Sequence, residues 1–400
     1  MPDHVLPLAK HGFATQTSHV GRAGTRVNGF VNPPVLRGST MLYTSCEDRR
    51  SRSGDRLERG FLYGTAGNPT HHALEDMVAA IEGGTRCQIV STGLAAITVP
   101  LLAYLNAGDH LLLPDSVYGP ARNFADSFLT RMGVAITYYD PVIEPGALAE
   151  LIRRETRVLY TESPGSHTFE VQDIPALSAV AHAHGLTVIM DNTWGIRSFQ
   201  PFAHGVDVSI QALTKYVAGH SDVLLGSITV AEEAHWDRVR TTATTLGQYA
   251  SPDDCWLALR GARTMAVRLD RQMQSGLEVA AWFASRPEVA SVLHPALPGA
   301  PGHELWKRDF TGACSLFGVE FQPHYAPAAV DGFIDSLTLF GIGASWGGFE
   351  SLAIPTTGHI TRTSGAAPFA GSIARFHIGL EEPADLIADL DNAMGALRAT

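Results

Sequence analysis

Only three lysines, Lys10, Lys215 and Lys307, stand among the 29 basic residues of this 400-residue chain; the rest are arginines. Arginine stays protonated and cannot serve as an amine nucleophile, whereas a desolvated lysine can shed its proton near neutral pH and form a Schiff base. Lys10 lies in the N-terminal tail and Lys307 in the polar run 304–309. Lys215 instead follows the apolar run 208–213 and precedes Gly219-His220-Ser221-Asp222. Taken alone, such a lysine is more readily a solvated surface charge than a nucleophile. Asp191 ends another apolar run and leads into Asn192-Thr193-Trp194. A carboxylate there can keep a pyridine-type nitrogen protonated, which makes the ring an electron sink for a carbanion, or it can cap the next helix.

Three further signals are weaker singly. Ser91-Thr92-Gly93-Leu94-Ala95-Ala96 joins an apolar run to a helical one, and free N–H groups at such a junction, helped by the Thr214 hydroxyl, can cradle a phosphate. Tyr118, in Ser116-Val117-Tyr118-Gly119-Pro120, can stack on a planar ring or be an ordinary half-buried tyrosine. Arg375 sits in an apolar run where an unpaired cation is costly, so it must meet an anion. That anion is either a substrate carboxylate gripped at two points or an internal acid.

These residues need a scaffold, and the hydrophobic pattern supplies one. From residue 86, short apolar runs at 87–90, 110–113, 134–139, 157–160, 187–190 and 206–210 read as strands. Between them, 93–105, 120–131, 146–154 and 174–184 read as helices. This alternation predicts an α/β fold with a mostly parallel sheet covered on both faces, and ligands beyond the carboxyl ends of its strands. The segment before about residue 65 has poor periodicity and reads as an arm packing on something else. After about residue 261, a long arginine-rich helical stretch and strand-like runs at 316–321 and 374–378 predict a smaller α+β domain. No solenoid repeat or low-complexity tract interrupts the pattern.

The net charge of −11 argues against a surface that neutralises nucleic-acid phosphates or anionic lipid. Residues 1–10 lack a secretory pattern and no run is long enough to span a bilayer, so a cytoplasmic protein without membrane contact is expected. Cys46, Cys87, Cys255 and Cys314 lack zinc-site or disulfide spacing and read as buried thiols, with no metal expected. No G-x-G-x-x-G with a downstream acid follows the first strand, which disfavours a nicotinamide dehydrogenase.

Longer segments carry a resemblance: Tyr63-Gly64, Glu162-Ser163-Pro164-Gly165-Ser166, Asp191-Asn192-Thr193-Trp194, Thr214-Lys215-Tyr216, His294-Pro295-Ala296-Leu297-Pro298-Gly299, Gly302-His303-Glu304, Trp306 to Gly312, and Ser345 to Leu352. In this order they resemble the Cys/Met-metabolism family of pyridoxal 5′-phosphate (PLP) enzymes over nearly the whole chain. The resemblance implies a type I aminotransferase-like fold with an arm at 1–64, a PLP-binding domain at 65–261 and a C-terminal domain at 262–400. It also implies a homotetramer whose active sites are shared between paired subunits.

By the same resemblance Lys215 holds PLP and transfers protons, Asp191 meets the ring nitrogen, and Tyr118 stacks on the ring and takes part in catalysis. Gly93, Leu94 and Thr214 fall to the phosphate, and Arg375, Ser345 and Trp346 to the substrate. Tyr63 reaches into the neighbouring subunit's site, with cofactor, substrate and catalytic contacts there. Trp346, where γ-acting relatives carry leucine, points to β-elimination of L-cystathionine to homocysteine, pyruvate and ammonia in methionine biosynthesis. The alternatives are a γ-acting relative (cystathionine γ-lyase, cystathionine γ-synthase or methionine γ-lyase) or a catalytically silent PLP-binding regulator. Two residues depart from the pattern. Thr65 stands where the family commonly has an arginine on the partner's phosphate, leaving either Arg56 or Arg59 as a substitute or a weaker hold on PLP, and Ala212 replaces a common serine.

Overall fold

The computed structural model describes residues 11–22, 29–52, 59, 62–365 and 369–398, so Lys10 and Arg56 lie outside it. The main sheet holds β1 (Arg86–Val90), β2 (His110–Pro114), β3 (Ala135–Tyr139), β4 (Thr156–Glu162), β5 (Thr187–Asp191), β6 (Val208–Gln211) and β7 (Gly226–Val230), in the order β1-β7-β6-β5-β4-β2-β3. From β6 to β3 every pairing is parallel. The expected mostly parallel sheet is therefore present, with β7 as an unexpected antiparallel strand between β1 and β6.

In the parallel strands, alternate side chains enter opposite cores. Val188 and Met190 of β5 pack with Leu74, Met77 and Ile81 of the helix Pro69–Glu82. Ile189 packs on the other face, with residues of the helix Gly93–Tyr104. A strand buried on both faces reads as a continuous apolar run, which is why β5 was visible in the sequence. The helix Gly93–Tyr104 starts where the Thr92 hydroxyl accepts the Ala95 N–H at 3.0 Å. The expected helix at 120–131 is Gly119–Phe124 continuing into a π-helical turn, Ala125–Leu129.

A second sheet holds β8 (Val289–Leu293), β9 (Leu316–Phe321), β10 (Gly341–Ile342), β11 (Leu352–Pro355) and β12 (Ile373–His377), in the order β10-β11-β12-β9-β8. Phe283 of the helix Met265–Ala284 and Phe333 of the helix Pro327–Asp335 are fully buried with Phe317, Phe321 and Phe376 of this sheet.

The arm lies partly on its own chain. Trp256 donates to the Pro33 carbonyl at 3.0 Å, and Arg37 pairs with Asp253. Leu42, in contrast, is 90% exposed, and the helix Cys46–Arg52 buries none of its residues. Cys87, Cys255 and Cys314 are buried free thiols; Cys46, on that short helix, is exposed, against expectation. No described helix is long and apolar enough to cross a membrane.

Candidate active site

The parallel register places Glu162 of β4 beside Asp191 of β5, and β6 runs directly on into the Lys215 turn. A cavity of about 280 Å³ opens at these strand ends. Asp191, Thr214, Lys215 and Tyr118 line it from the large sheet's side, Gly93 and Leu94 from a helix start, and Trp346 and Arg375 from the second sheet's side.

Lys215 Nζ donates to Ser345 Oγ at 2.7 Å and lies 5.4 Å from the centre of the Trp346 ring. Burial, then the Arg375 charge, lower its pKa to about 8 against the opposing pull of Asp191. The amine is therefore within reach of its neutral, nucleophilic form at ordinary pH. Gly347 makes this approach possible. Its φ is +85°, and a Cβ there would fall 2.9 Å from the Lys215 carbonyl carbon, so the 345–348 loop can lie directly on the lysine backbone.

Asp191 accepts the Thr193 N–H at 3.0 Å and the Thr193 hydroxyl at 2.6 Å, both on Oδ1. Burial raises its pKa, while these bonds and Lys215 hold it back. Glu162 is buried, and its Oε2 accepts the Tyr118 N–H at 2.8 Å. Burial, then the Asp191 charge, push the Glu162 carboxyl well above the usual range. Tyr118 is 41% exposed, with burial and the two acids raising its phenol.

Arg375, on β12, is buried, and its Nη2 donates to the carbonyls of Ala344 and Ser345, each at 3.0 Å. Burial lowers its pKa to about 10, with Tyr118 opposing. No acid pairs with it among the described residues, so the internal ion pair weighed from sequence is not seen there.

The phosphate candidates divide. Of the first helical turn, Thr92 takes the Ala95 N–H, which leaves the earlier Gly93 and Leu94 amides without an intrahelical acceptor at the cavity. A Cβ on Gly93 would fall 2.7 Å from the Ala212 Cβ, so only glycine lets the helix start approach the turn after β6 so closely. The Thr214 hydroxyl is engaged elsewhere: it accepts the Leu225 N–H at 3.0 Å and donates to the Leu225 carbonyl at 3.2 Å. Arg59, one of the two substitutes the sequence offers for the missing arginine, pairs within its own chain with Asp76 at 2.6 Å and Glu75 at 3.6 Å. Tyr63 is 53% exposed and outside the cavity of its own chain.

Glu162 carried no role in the sequence reading, although a second acid at a strand end one βα step before Asp191 was a usable signal. Thr193 and the cavity-lining His167 were missed as well; burial marks the first, and a positive φ with an unpaired ring nitrogen marks the second, neither of which the sequence displays.

An amine of lowered pKa, a buried acid near it and unpaired helix amides in one cavity suit an aldehyde-bearing, phosphorylated heteroaromatic ring. Fold and cavity thus define a PLP-dependent enzyme of aminotransferase-like architecture. Residues 14–395 match the family model for the Cys/Met metabolism PLP-dependent enzymes, and the chain belongs to that family. It is 45% identical over 403 residues to a putative cystathionine beta-lyase of Rhizobium johnstonii, covering 100% of both chains. It is 38% identical to the cystathionine beta-lyase of Escherichia coli, covering 96% of this chain and 98% of that one. The crystal structure of a cystathionine gamma synthase from Xanthomonas oryzae superposes with a TM-score of 0.89 at 28% identity, covering 97% of this chain and 99% of the other.

Proposed function

We propose that this enzyme cleaves the Cβ–S bond of L-cystathionine by β-elimination, releasing homocysteine, pyruvate and ammonia. The observation that carries the reading is the placement of Lys215 Nζ on Ser345, in a cavity also lined by Asp191 and by Arg375, a cation without an acid partner among the described residues. The relatives named as cystathionine beta-lyases, at 38% and 45% identity, support the choice of bond.

PLP, when bound through Lys215, supplies an electron sink for charge developing at the substrate Cα. Asp191 would keep the ring nitrogen protonated, Tyr118 would stack on the ring, and the Gly93 and Leu94 amides would hold the phosphate. Arg375 grips the α-carboxylate and orients the Cα–H bond towards Lys215. Lys215 Nζ, once free, takes the Cα proton, which its lowered pKa allows without strongly basic conditions. Ser345 positions that amine, and Trp346 walls the leaving-group side.

Tyr63 and the exposed apolar residues Phe30, Val31 and Leu42 of the arm support a homotetramer in which the arm completes a neighbouring site. The same reading keeps the arm, PLP-binding and C-terminal divisions at 1–64, 65–261 and 262–400, in a cytoplasmic enzyme of methionine biosynthesis.

Product analysis of L-cystathionine turnover tests the reaction. Pyruvate with homocysteine is expected. 2-Oxobutyrate with cysteine would move the enzyme to γ-elimination, and PLP uptake without turnover of any sulfur amino acid would leave a silent binder.

A further inference from the structure

We infer that His167 is a second recognition group for a substrate carboxylate, acting as a neutral N–H donor beside Arg375. The inference rests on the proposed function, because it concerns which part of an S-substituted cysteine the same cavity reads.

His167 lies in the loop after β4, and it lines the cavity together with Gly165, Ser166 and Phe169. Its φ is +63° and that of Phe169 is +56°. The left-handed region is unfavourable for such side chains and is held only where the surroundings impose it, a condition met most often at functional sites. Here the loop is closed on itself by Thr168 N–H to the Ser166 carbonyl at 2.8 Å and Phe169 N–H to the Gly165 carbonyl at 3.0 Å. Ser166 N–H is anchored to the Ser116 carbonyl at 2.9 Å. The His167 ring is stacked on His359, with centroids 6.0 Å apart. Backbone and ring are thus both fixed.

The bland alternative is a core histidine with its hydrogen bonds satisfied, and the atoms argue against it. His167 Nδ1 is buried without a hydrogen-bond partner, and a proton placed there would be a buried donor with no acceptor. The proton therefore resides on Nε2, the nitrogen left to meet a ligand as an N–H donor. Burial, then Arg375 and His359, lower the pKa to about 4, in keeping with a neutral ring.

What this donor lacks is an anion. The acids around the cavity are engaged. Glu170 accepts from Arg362 and from Thr168 Oγ1, Asp191 accepts from Thr193, and Glu162 accepts from Tyr118. Arg375 and His167 share a cavity in which no described acid pairs with Arg375, so the missing group comes from outside the chain. In an S-substituted cysteine that group is a carboxylate. L-Cystathionine offers two, the α-carboxylate at the reacting end and the distal one on the homocysteine half.

The test uses the PLP-loaded enzyme and two replacements that tolerate positive φ, His167→Gly, which removes the donor, and His167→Asn, which keeps an amide N–H on a shorter side chain. KM and kcat are measured for L-cystathionine, with two carboxylates, and S-ethyl-L-cysteine, with one. Dissociation constants for L-cystathionine and for L-alanine, which has no leaving group, are read by spectral titration. Losing one hydrogen bond to a charged group in His167→Gly raises KM and the dissociation constant about 10-fold, with kcat changed less than about twofold and part of the loss recovered in His167→Asn. A rise for all ligands assigns the α-carboxylate, and a rise for L-cystathionine alone assigns the distal one. Constants unchanged for every ligand, or a loss confined to kcat, would overturn the inference. Because the titrations need no turnover, they decide it even if the wild type releases no pyruvate, an outcome that sinks only the parent reading.

Discussion

Behind the seven-stranded sheet, the fully buried Glu82 accepts Ser209 Oγ and Gln211 Nε2, each at 2.7 Å, and Asn192 Nδ2 at 3.3 Å. Gln211 also donates to the Asn192 carbonyl at 2.9 Å, next to Asp191. The five-stranded sheet closes instead on aromatic rings, Phe283 against Phe376 at 4.8 Å and Phe321 against Phe333 at 5.6 Å. Apolar packing stabilises without dictating one arrangement, whereas a buried acid with directed donors is expensive to hide and fixes the turn it touches. The first region gives up part of the stability of its two apolar cores to hold that acid beside the turn that follows Asp191, and the second is stabilised chiefly by packing.

Lys215→Ala should show the largest effect, about a 10⁴-fold loss of kcat from removing the proton-transfer group. Its melting temperature should be unchanged or higher, because a poorly solvated cation has gone. A large fall in stability would break the division between the regions. Phe333→Ala is the converse: about 3–5 kcal/mol lost in chemical denaturation, with kcat retained wherever the protein remains folded. Altered kcat in folded protein would show that the aromatic cluster also tunes the site.

Glu82→Leu leaves its donors unsatisfied and should lose about 3 kcal/mol with weaker PLP binding, while Glu82→Gln stays within about 1 kcal/mol of wild type. Burial raises the Glu82 pKa, so its favourable contribution is complete below the ordinary carboxylate range and is lost as pH rises through the raised value. Wild type should therefore lose stability relative to Glu82→Gln with rising pH, and equal slopes would remove Glu82 from the comparison. The smallest effect is kinetic. PLP uptake by apoprotein, followed by visible absorbance, should quicken as pH rises through about 8 and then level off, as Lys215 sheds its proton. A rate independent of pH would mean that another step limits uptake.

Much of the first region was legible because its strands are apolar on both faces and end in chemistry-bearing residues, as at Asp191. β7 was not, since buried Ser227 and Thr229 interrupt its apolar character and its partners β1 and β6 are set by long-range pairing. Lys215 and Arg375 stood out as scarce or misplaced charges. Thr214 illustrates the limit: its position was readable, but the engagement of its hydroxyl by Leu225 depends on a chain reversal invisible to local pattern. His167 left no trace, because its positive φ and unpaired nitrogen exist only in the folded chain.

Ser345 is touched from two directions, its carbonyl by Arg375 and its hydroxyl by Lys215. Two cations that line one cavity are thereby joined through one residue. A displacement of the guanidinium would be felt at the group that meets the lysine. Because bonding Lys215 to PLP would take its amine from that hydroxyl, filling the cofactor site and setting the guanidinium would be linked events.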